Sequence, residues 1–328
     1  MGFILVTGAT GFLGGRLVRH LMKSGIDILA VGRDQVACAR LESMGCPVLR
    51  HDLAVSFDTL SYSMLDDVEA IVHCAALSSP FGRLDDFLRA NVVATANLVH
   101  FARRQNVRRF VYISTPSVYF AFRDQLDVRE EDALPAPVNH YARTKRQAEK
   151  IVLAVPETGP VILRPRGIYG SGDSALLPRV LRVARRHALP LFREGKARID
   201  LTHVDDVVDA IVAALNGSDA VEGEIFNISS GEVLPVRDIV DKACARAGIR
   251  VRWRPMALAP AMFAAGMVEV MAGLACGQFE PPVTRYGLGL FAYAQSLDTS
   301  KAARVLRWKP NIDFEDGLHR TFQAGDVS

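Results

Sequence analysis

Residues 3–14 decide the fold of this chain, and they read F-I-L-V-T-G-A-T-G-F-L-G. Residues 3–7 form a short apolar run, which is typical of a buried strand in a parallel sheet. Apolar residues then recur at helical spacing over 13–21, and Gly25 marks the end of the predicted helix. A second apolar run at 27–31 completes a predicted strand–helix–strand unit.

Three glycines, Gly8, Gly11 and Gly14, lie between the first strand and the helix with G-x-x-G-x-x-G spacing. In a dinucleotide-binding turn the first glycine permits a tight bend, the second lets the backbone approach a pyrophosphate, and the third lets the helix pack on the sheet. The phosphates would lie at the helix N-terminus, where unpaired N–H groups favour negative charge. The alternative is a glycine-rich turn without a ligand, but the position between a strand and a helix favours a dinucleotide site.

The end of the second strand bears on which dinucleotide is bound. NAD sites usually carry an acidic residue there for the ribose 2′-hydroxyl, whereas NADP sites use a nearby Arg. This chain has Gly32-Arg33, and Asp34 lies one residue beyond the expected place. A guanidinium can form two hydrogen bonds to a phosphate, although Arg33 could equally be a solvated residue that opens the next helix. We expect NADP(H) as the preferred cofactor, with NAD(H) as the alternative.

Length and composition indicate a soluble protein with a substantial core. The 328 residues are 49% apolar and 23% charged, which is ordinary for a globular protein. The net charge of +3 is small and no long basic run is interleaved with aromatic residues, so we expect no nucleic-acid partner. Five scattered cysteines without a C-x-x-C pair argue against disulfides or a zinc site. With no signal peptide before the first strand, the chain is expected in the cytoplasm.

Strand and helix patterns alternate through the first half of the chain. Further strands are predicted at 48–51, 70–74 and 110–114, and long helices at 85–105 and 138–154. Such alternation predicts an α/β fold, a Rossmann-type doubly wound parallel sheet with right-handed crossovers. Ligands of such sheets bind beyond the carboxyl ends of the strands.

The pattern loosens after Arg164, where prolines and glycines separate shorter elements. We therefore expect a smaller substrate-binding lobe behind the sheet domain. The predicted division assigns 1–165 to a dinucleotide-binding domain, to which 198–230 returns, and 166–197 with 231–328 to the lobe.

Tyr141 and Lys145 are four residues apart on a predicted helix and so share one face. An ammonium beside a phenol favours the phenolate and would lower the tyrosine pKa from about 10. A tyrosine with such a pKa can exchange a proton near neutral pH. A solvated Tyr–Lys pair is the alternative, because this spacing also occurs by chance in many helices.

The chain resembles the extended short-chain dehydrogenases/reductases, the NAD-dependent epimerase/dehydratase superfamily, over nearly its whole length. The matching motifs are residues 7–14, 51–53 (H-D-L), 73–76 (H-C-A-A), Asn91, Ser114-Thr115 before Val118-Tyr119, Tyr141 with Lys145, and Arg164-Pro165 before 168–170 (I-Y-G).

The resemblance implies roles for these residues. Tyr141 would be the general acid or base at the substrate oxygen, and Lys145 would lower its pKa and hold the nicotinamide ribose. Thr115 replaces the family's usual serine and would hydrogen-bond the same oxygen, with Ser114 as the weaker candidate. Asn91 is expected to be structural.

The resemblance also implies two sets of binding residues. The cofactor-binding set is Gly8, Thr10, Gly11, Phe12, Leu13, Gly14, Arg33, Asp52, Leu53, Ala75, Ala76, Tyr141 and Lys145. The substrate set is Ser117, Arg166 and Tyr169.

Two branches of the superfamily are considered. Sugar-nucleotide epimerases usually continue their Arg-Pro motif with Asn, whereas this chain continues with Arg166-Gly167, and Phe120 replaces the usual glycine after Val118-Tyr119. The 3β-hydroxysteroid dehydrogenase-like branch includes sterol-carboxylate dehydrogenases and 2-alkyl-3-oxoalkanoate reductases. Its motifs resemble 168–173, 200–206, 226–232, 298–302, 308–310 and 317–318.

Residues 256–277 are rich in Ala and Met and fall near helical spacing. A membrane span is disfavoured because Pro260, Glu269 and three glycines interrupt about 20 apolar residues. A packing helix, or a Met-lined lid over an apolar substrate, is favoured, and peripheral membrane contact remains an alternative.

These observations predict an NAD(P)(H)-dependent oxidoreductase that moves a hydride between the nicotinamide and a secondary alcohol or ketone. The substrate would be an apolar small molecule of 3β-hydroxysteroid or 3-oxo/3-hydroxy acyl type. The alternatives are a sugar-nucleotide epimerase or reductase with tightly bound NAD and, remotely, a non-catalytic dinucleotide sensor. The resemblance implies a homodimer formed through 85–105 and 138–154.

Overall fold

A parallel seven-stranded sheet forms the centre of the structure, a computed structural model that describes residues 2–60, 62–274, 281 and 283–323. Its strands are β1 (Phe3–Thr7), β2 (Ile28–Gly32), β3 (Val48–Arg50), β4 (Val68–His73), β5 (Arg109–Ile113), β7 (Pro160–Pro165) and β12 (Ile225–Ile228). Their order in space is β12-β7-β5-β4-β1-β2-β3, and every neighbouring pair is parallel. The order reverses between β1 and β4, which makes their carboxyl ends the expected place for a ligand.

Helices cover both faces of this sheet and pack around the later segments of the chain. They are α1 (Phe12–Lys23), α2 (Gln35–Ser43), α3 (Leu84–Phe87), α4 (Ala94–Arg104), α5 (His140–Leu153), α6 (Leu177–Arg186), α7 (Val204–Leu215), α8 (Val236–Arg246), α9 (Leu258–Leu274), α10 (Arg285–Ala292) and α11 (Phe314–Gln323). A π-helical segment, Leu88–Val93, joins α3 to α4. The confirmed fold class is therefore the Rossmann-type α/β sheet that the alternating pattern predicts.

Two apolar cores lie on opposite faces of the sheet. On one face Leu17 and Leu21 of α1 pack with Ile211 of α7. On the other, Leu98 of α4 and Val152 of α5 pack together, and all five side chains are fully buried. Each such leucine, isoleucine or valine contributes about 1.5–3 kcal/mol by leaving water, so both helix layers are held mainly by apolar burial.

Short strands form the smaller sheets beside the main one. They are β6 (Gln125–Val128), β8 (Ile168–Tyr169), β9 (Leu189–Leu191), β10 (Arg198–Ile199), β11 (Thr202–His203), β13 (Leu234–Pro235), β14 (Trp253–Pro255) and β15 (Gln295–Leu297). One sheet has the order β13-β10-β15-β6, and the pairs β11-β8 and β14-β9 form two more. The pairing of β15 with β6 and β10 brings the end of the chain back to the segment that follows β5.

The long helices differ from their predicted bounds at particular residues. Helix α5 begins at His140 rather than 138, because the Asn139 side chain accepts a hydrogen bond from the N–H of Ala142 at 2.8 Å and caps the helix. The predicted helix over 85–105 is present, but its π-helical segment includes Asn91. Such π segments often occur at functional sites.

No helix among the described residues is both long enough and apolar enough to cross a bilayer. Cys38, Cys46, Cys74 and Cys244 are free thiols, and Cys276 lies outside the described residues.

Candidate active site

The glycine turn lies at the switch point of the sheet and is shaped for a phosphate. Gly8 has a φ of +65°, and a Cβ there would lie 2.7 Å from the backbone nitrogen of Ala75 at the end of β4. A Cβ at Gly14 would overlap the carbonyl of Gly8. Helix α1 begins directly after Gly11 with no side-chain cap and no acidic residue in its first turn. Its N–H groups are therefore available to an anion, and the residues present fit a dinucleotide pyrophosphate.

Two guanidinium groups, those of Arg33 after β2 and Arg89 in the π-helical segment, lie near the carboxylate of Asp52 after β3. Asp52 accepts a hydrogen bond from Nη2 of Arg89 at 2.7 Å. This bond is the main cause of a lowered Asp52 pKa, and the charge of Arg33 adds to it. Asp34 instead caps α2 by accepting from the N–H of Ala37 at 2.7 Å. The part of the site that is expected to hold the adenosine of the dinucleotide is therefore surrounded by cations rather than by a free carboxylate.

Three hydroxyl groups, those of Thr115, Ser117 and Tyr286, form a chain at the carboxyl end of β5. The phenol of Tyr141 lies beside the Thr115 end of this chain. Thr115 donates to the Ser117 hydroxyl at 3.0 Å, and that hydroxyl lies 2.8 Å from Oη of Tyr286 on α10. Burial raises the pKa of Tyr141 to about 12, and the Thr115 side chain opposes this rise. At neutral pH Tyr141 therefore keeps its proton.

Lys145 lies one turn after Tyr141 and is 1% exposed. Its Nζ donates to the carbonyl of Ile113 at 2.6 Å and lies 4.1 Å from the centre of the Tyr112 ring. Burial lowers the pKa of Lys145 to about 7, and the charge of Glu149 acts in the opposite direction. The Lys145 ammonium is thus bound to Ile113, and burial is the main influence on the pKa of Tyr141.

Asn91 fixes α5 against the loop that follows β4. Its Oδ1 accepts from the N–H of Leu77 at 2.7 Å, and its Nδ2 donates to Oγ1 of Thr144 at 3.1 Å. The side chain is 1% exposed. These contacts agree with the structural role expected of Asn91, because they position the residue that precedes Lys145.

A buried ion pair lies beneath the hydroxyl chain and separates the two candidate hydroxyls. Arg164 donates to both carboxylate oxygens of Glu149, at 2.8 and 2.7 Å, and also to the phenol of Tyr119. The Ser114 hydroxyl donates to the same carboxylate at 2.5 Å. Ser114 is thus bound within the interior, whereas Thr115 lies beside the phenol of Tyr141.

Arg166 lies next to the Tyr286 end of the chain of hydroxyls. Its Nη2 donates to Oε1 of Gln295 at 2.6 Å, and its Nε lies 3.4 Å from Oδ1 of Asp200. Burial raises the pKa of Tyr286, while the hydrogen bond with Ser117 and the charge of Arg166 lower it. Among the described residues, Nε2 of Gln295 and Oδ1 of Asp200 are buried without a hydrogen-bond partner. Arg166 is therefore paired with Asp200, and the amide nitrogen of its other partner, Gln295, is a free donor.

Tyr169, which is expected to contact substrate, does not lie with this cluster. Its ring packs on His203 and Phe314, its hydroxyl lies against Gly317, and the residue is 1% exposed. The bulk and burial of the phenol place it in an apolar core of the protein.

The remaining predicted cofactor residues lie along the carboxyl edge of the sheet. Thr10 packs against Gly32, and Ala76 is exposed after β4. Phe12 is partly buried, whereas Leu13 is 9% exposed and points into the core. The last member of the set, Leu53, is buried, and its carbonyl accepts from Asn97 at 2.9 Å.

The sequence motifs did not predict four residues that contribute to this site, which are Glu149, Arg89, Tyr286 and Gln295. Glu149 carried a signal, because it lies on the same helix face as Tyr141 and Lys145 at spacings of four and eight residues. Arg89, Tyr286 and Gln295 carried none, since their positions depend on how the later chain folds back on the sheet.

The fold and site together define an NAD-dependent enzyme of the extended short-chain dehydrogenase/reductase class. A model of the NAD dependent epimerase/dehydratase family matches residues 4–229. The chain belongs to this family and is an oxidoreductase within it.

Two curated relatives match almost the whole chain. The 2-alkyl-3-oxoalkanoate reductase of Stenotrophomonas maltophilia is 33% identical over 97% of this chain and 97% of its own length. The decarboxylating sterol-4-alpha-carboxylate 3-dehydrogenase of Schizosaccharomyces pombe is 26% identical over 100% of this chain and 98% of its own length.

Among solved structures, the UDP-glucuronic acid 4-epimerase of Bacillus cereus in complex with NAD has a similar fold. It superposes with a TM-score of 0.75 at 23% identity, over 98% of this chain and 97% of that one.

Proposed function

We propose that this enzyme reduces the ketone of an apolar 3-oxo substrate, or oxidises the matching 3-hydroxy compound, with a nicotinamide dinucleotide. The placement of the Tyr141 phenol beside Thr115, with Lys145 hydrogen-bonded to the carbonyl of Ile113 at the end of β5, carries this proposal. The two curated relatives support it, because their names describe a 3-oxo acid reductase and a 3-hydroxy sterol dehydrogenase.

Each residue of the site has its own role in the transfer of the hydride and the proton. Bound dinucleotide supplies or accepts the hydride, and the protein positions and polarises the substrate. Tyr141, which holds its proton at neutral pH, donates it to the carbonyl oxygen as that oxygen becomes negative. Thr115 hydrogen-bonds the same oxygen, and Lys145 holds the nicotinamide ribose. In the oxidative direction the deprotonated phenolate of Tyr141 accepts the proton from the alcohol.

An apolar substrate agrees with the residues around the hydroxyl chain. The ring of Phe120 lies 5.0 Å from that of Tyr286 and 5.2 Å from that of Phe122. These rings lie beside α10, where a sugar diphosphate would require polar partners. Together they form an aromatic wall suited to a hydrocarbon chain or ring system.

The position of Arg166 favours a second feature of the substrate, which is a carboxylate. Both curated relatives act, by their names, on molecules that combine an oxygen at carbon 3 with a carboxylate. The charge of Arg166 acts on Tyr286, and Arg166 contacts Gln295, whose amide nitrogen has no partner among the described residues. We infer that Arg166 and this amide bind a substrate carboxylate while Ser117 hydrogen-bonds nearby. Loss of NADPH absorbance on addition of a 2-alkyl-3-oxo acid tests this reaction, and no turnover of any such acid would contradict it.

We also infer that NADP(H) is preferred over NAD(H). Arg33 is exposed beside the end of β2, Arg89 lies near it through Asp52, and Asp34 is committed to capping α2. A 2′-phosphate would therefore meet positive charge, whereas a 2′-hydroxyl would find no free carboxylate from Asp34.

Arg33→Ala should weaken NADPH binding roughly 10- to 100-fold while NADH binding changes little, since a charged hydrogen bond contributes about 1.5–3 kcal/mol. Fluorescence titration of both dinucleotides measures this. Arg40→Ala, which removes an exposed arginine of the neighbouring helix, is the matched control. A wild-type preference for NADH, or an equal loss for both dinucleotides, would contradict the NADP assignment.

The domain division, the location, the oligomeric state and the kind of partner belong to the same proposal. Residues 1–165 with 198–230 form the dinucleotide-binding part, and 166–197 with 231–328 form the substrate lobe. The protein acts as a cytoplasmic homodimer on a small-molecule substrate, without nucleic acid.

A further inference from the structure

Helix α9 presents an apolar and exposed face. Its one charged side chain, Glu269, accepts hydrogen bonds from the N–H and Nε of Arg285. Ala265 and Ala272 lie on the stripe that packs against the protein. The apolar side chains that remain most exposed are Phe263 (73%), Met267 (52%), Val270 (60%), Met271 (62%) and Leu274 (80%). A contiguous face of this kind marks an interaction surface.

The dimensions of α9 suit a helix that lies along a surface. Its 17 residues span about 25 Å at 1.5 Å per residue, which is less than a bilayer core of about 30 Å. One stripe is also held against α10 through the Glu269–Arg285 pair. The helix can therefore bury its free face in an interface without crossing a membrane.

The chain that leads into α9 is basic. Residues 242–268 contain five Lys or Arg and no Asp or Glu. Arg250, Arg252 and Arg254 are exposed and alternate with Val251 and Trp253, which are partly buried. Their alternation in the extended segment directs the three arginines to one side. None of the three forms an ion pair with any residue in the described part of the chain.

The arginines of α6 extend this positive surface. Arg252 donates to the backbone carbonyl of Arg186, and β14 pairs with β9 so that Trp253 faces Leu189. This pairing brings the exposed α6 arginines, Arg182, Arg185 and Arg186, beside β14. The N–H of Met256 then bonds the carbonyl of Leu191, and the chain enters α9. The positive and apolar surfaces are thus continuous.

We propose that α9 and these six arginines bind the surface of a membrane that contains anionic lipids. Phe263 and Met271 enter the boundary between headgroups and acyl chains, and the arginines pair with lipid phosphates. A second copy of the chain fits this surface less well, because a two-fold contact presents the same patch twice and would add like charge.

This surface also has a direct connection to the active site. Helix α9 packs on α10, which carries Tyr286 of the hydroxyl chain. An apolar substrate dissolved in the bilayer would meet α9 before it reaches that chain. The route for substrate depends on the proposed function, whereas the membrane surface does not.

Flotation with vesicles tests the surface. The full chain should float with phosphatidylcholine vesicles that contain phosphatidylglycerol and much less with phosphatidylcholine alone. Phe263→Ser combined with Met271→Ser should weaken binding roughly 100-fold or more, since each buried apolar side chain contributes about 1.5–3 kcal/mol. Arg250→Gln, Arg252→Gln and Arg254→Gln together should weaken it by a similar factor, at about 1 kcal/mol per arginine.

Matched controls remove equivalent groups elsewhere. Met44→Ser with Val55→Ser removes two other exposed apolar side chains, and Arg19→Gln, Arg40→Gln and Arg108→Gln remove three other exposed charges. Both should float like the wild type, and all variants should keep the wild-type thermal midpoint. A wild type that stays unbound, a helix variant that floats normally, or equal binding to neutral vesicles would overturn the proposal. So would a helix variant whose hydrodynamic mass is half that of the wild type without vesicles, which would assign α9 to a second copy.

Discussion

Replacing Tyr141 with Phe should lower kcat by about 100- to 10,000-fold and leave the NADPH dissociation constant within about twofold of the wild type. The phenol is the group placed to donate a proton to the substrate oxygen, and its raised pKa keeps that proton in place at neutral pH. Phe preserves the ring and its burial, so the fold and the glycine turn should be unchanged. Steady-state kinetics together with a fluorescence titration measure the two quantities.

The neighbouring hydroxyl provides an internal comparison. Thr115→Ser keeps a hydroxyl and should retain most activity, whereas Thr115→Val removes the hydroxyl beside Tyr141 and should lose roughly tenfold or more. Tyr62→Phe, at a tyrosine that is 36% exposed, serves as the matched control and should behave as the wild type. Near-normal turnover by Tyr141→Phe would refute the proposed role of this tyrosine.

The second large effect concerns Arg166, which we propose as the partner of a substrate carboxylate. Arg166→Gln should lower kcat/KM for a 2-alkyl-3-oxo acid by about 10- to 100-fold, the value of a charged hydrogen bond of about 1.5–3 kcal/mol. The methyl ester of the same acid has no charge for Arg166 to bind. Its kcat/KM should therefore change less than about threefold by the same argument.

The ratio of kcat/KM for the acid to kcat/KM for the methyl ester does not change if part of the variant unfolds. Arg166 is buried beside Asp200, so its replacement can reduce the folded fraction, but that loss affects acid and ester equally. Arg193→Gln, at a partly exposed arginine paired with Asp124, is the matched control. If the ratio of kcat/KM for the acid to kcat/KM for the ester is unchanged in Arg166→Gln, Arg166 does not bind the substrate carboxylate.

The first half of the molecule could be predicted closely because its signals are local. The apolar run at 3–7, the glycine spacing of 8–14 and the alternation of strands and helices each depend on a few adjacent residues, and the sheet confirms them. Likewise, the four-residue spacing of Tyr141 and Lys145 requires only a helix. Tyr141 and Thr115 lie on two segments that the parallel sheet brings to one edge.

Other features depend on long-range packing and left no local signal. Tyr286 reaches Ser117 across 169 positions of the chain, and Gln295 reaches Arg166 across 129. Tyr169 packs on Phe314 and lies against Gly317, two residues late in the chain that its motif does not include. The direction of the Lys145 side chain depended on the carbonyl of Ile113, which a helical pattern does not reveal.

Transfer of deuterium from NADPH labelled at nicotinamide C4 tests the central claim most directly. The wild-type enzyme would be mixed with a 2-alkyl-3-oxo acid and the labelled dinucleotide, and the product would be examined by mass spectrometry. The account predicts a 3-hydroxy acid that carries one deuterium at carbon 3, with equal consumption of NADPH. An unlabelled product, or isomerisation of a nucleotide sugar by dinucleotide already bound to the purified protein, would contradict it.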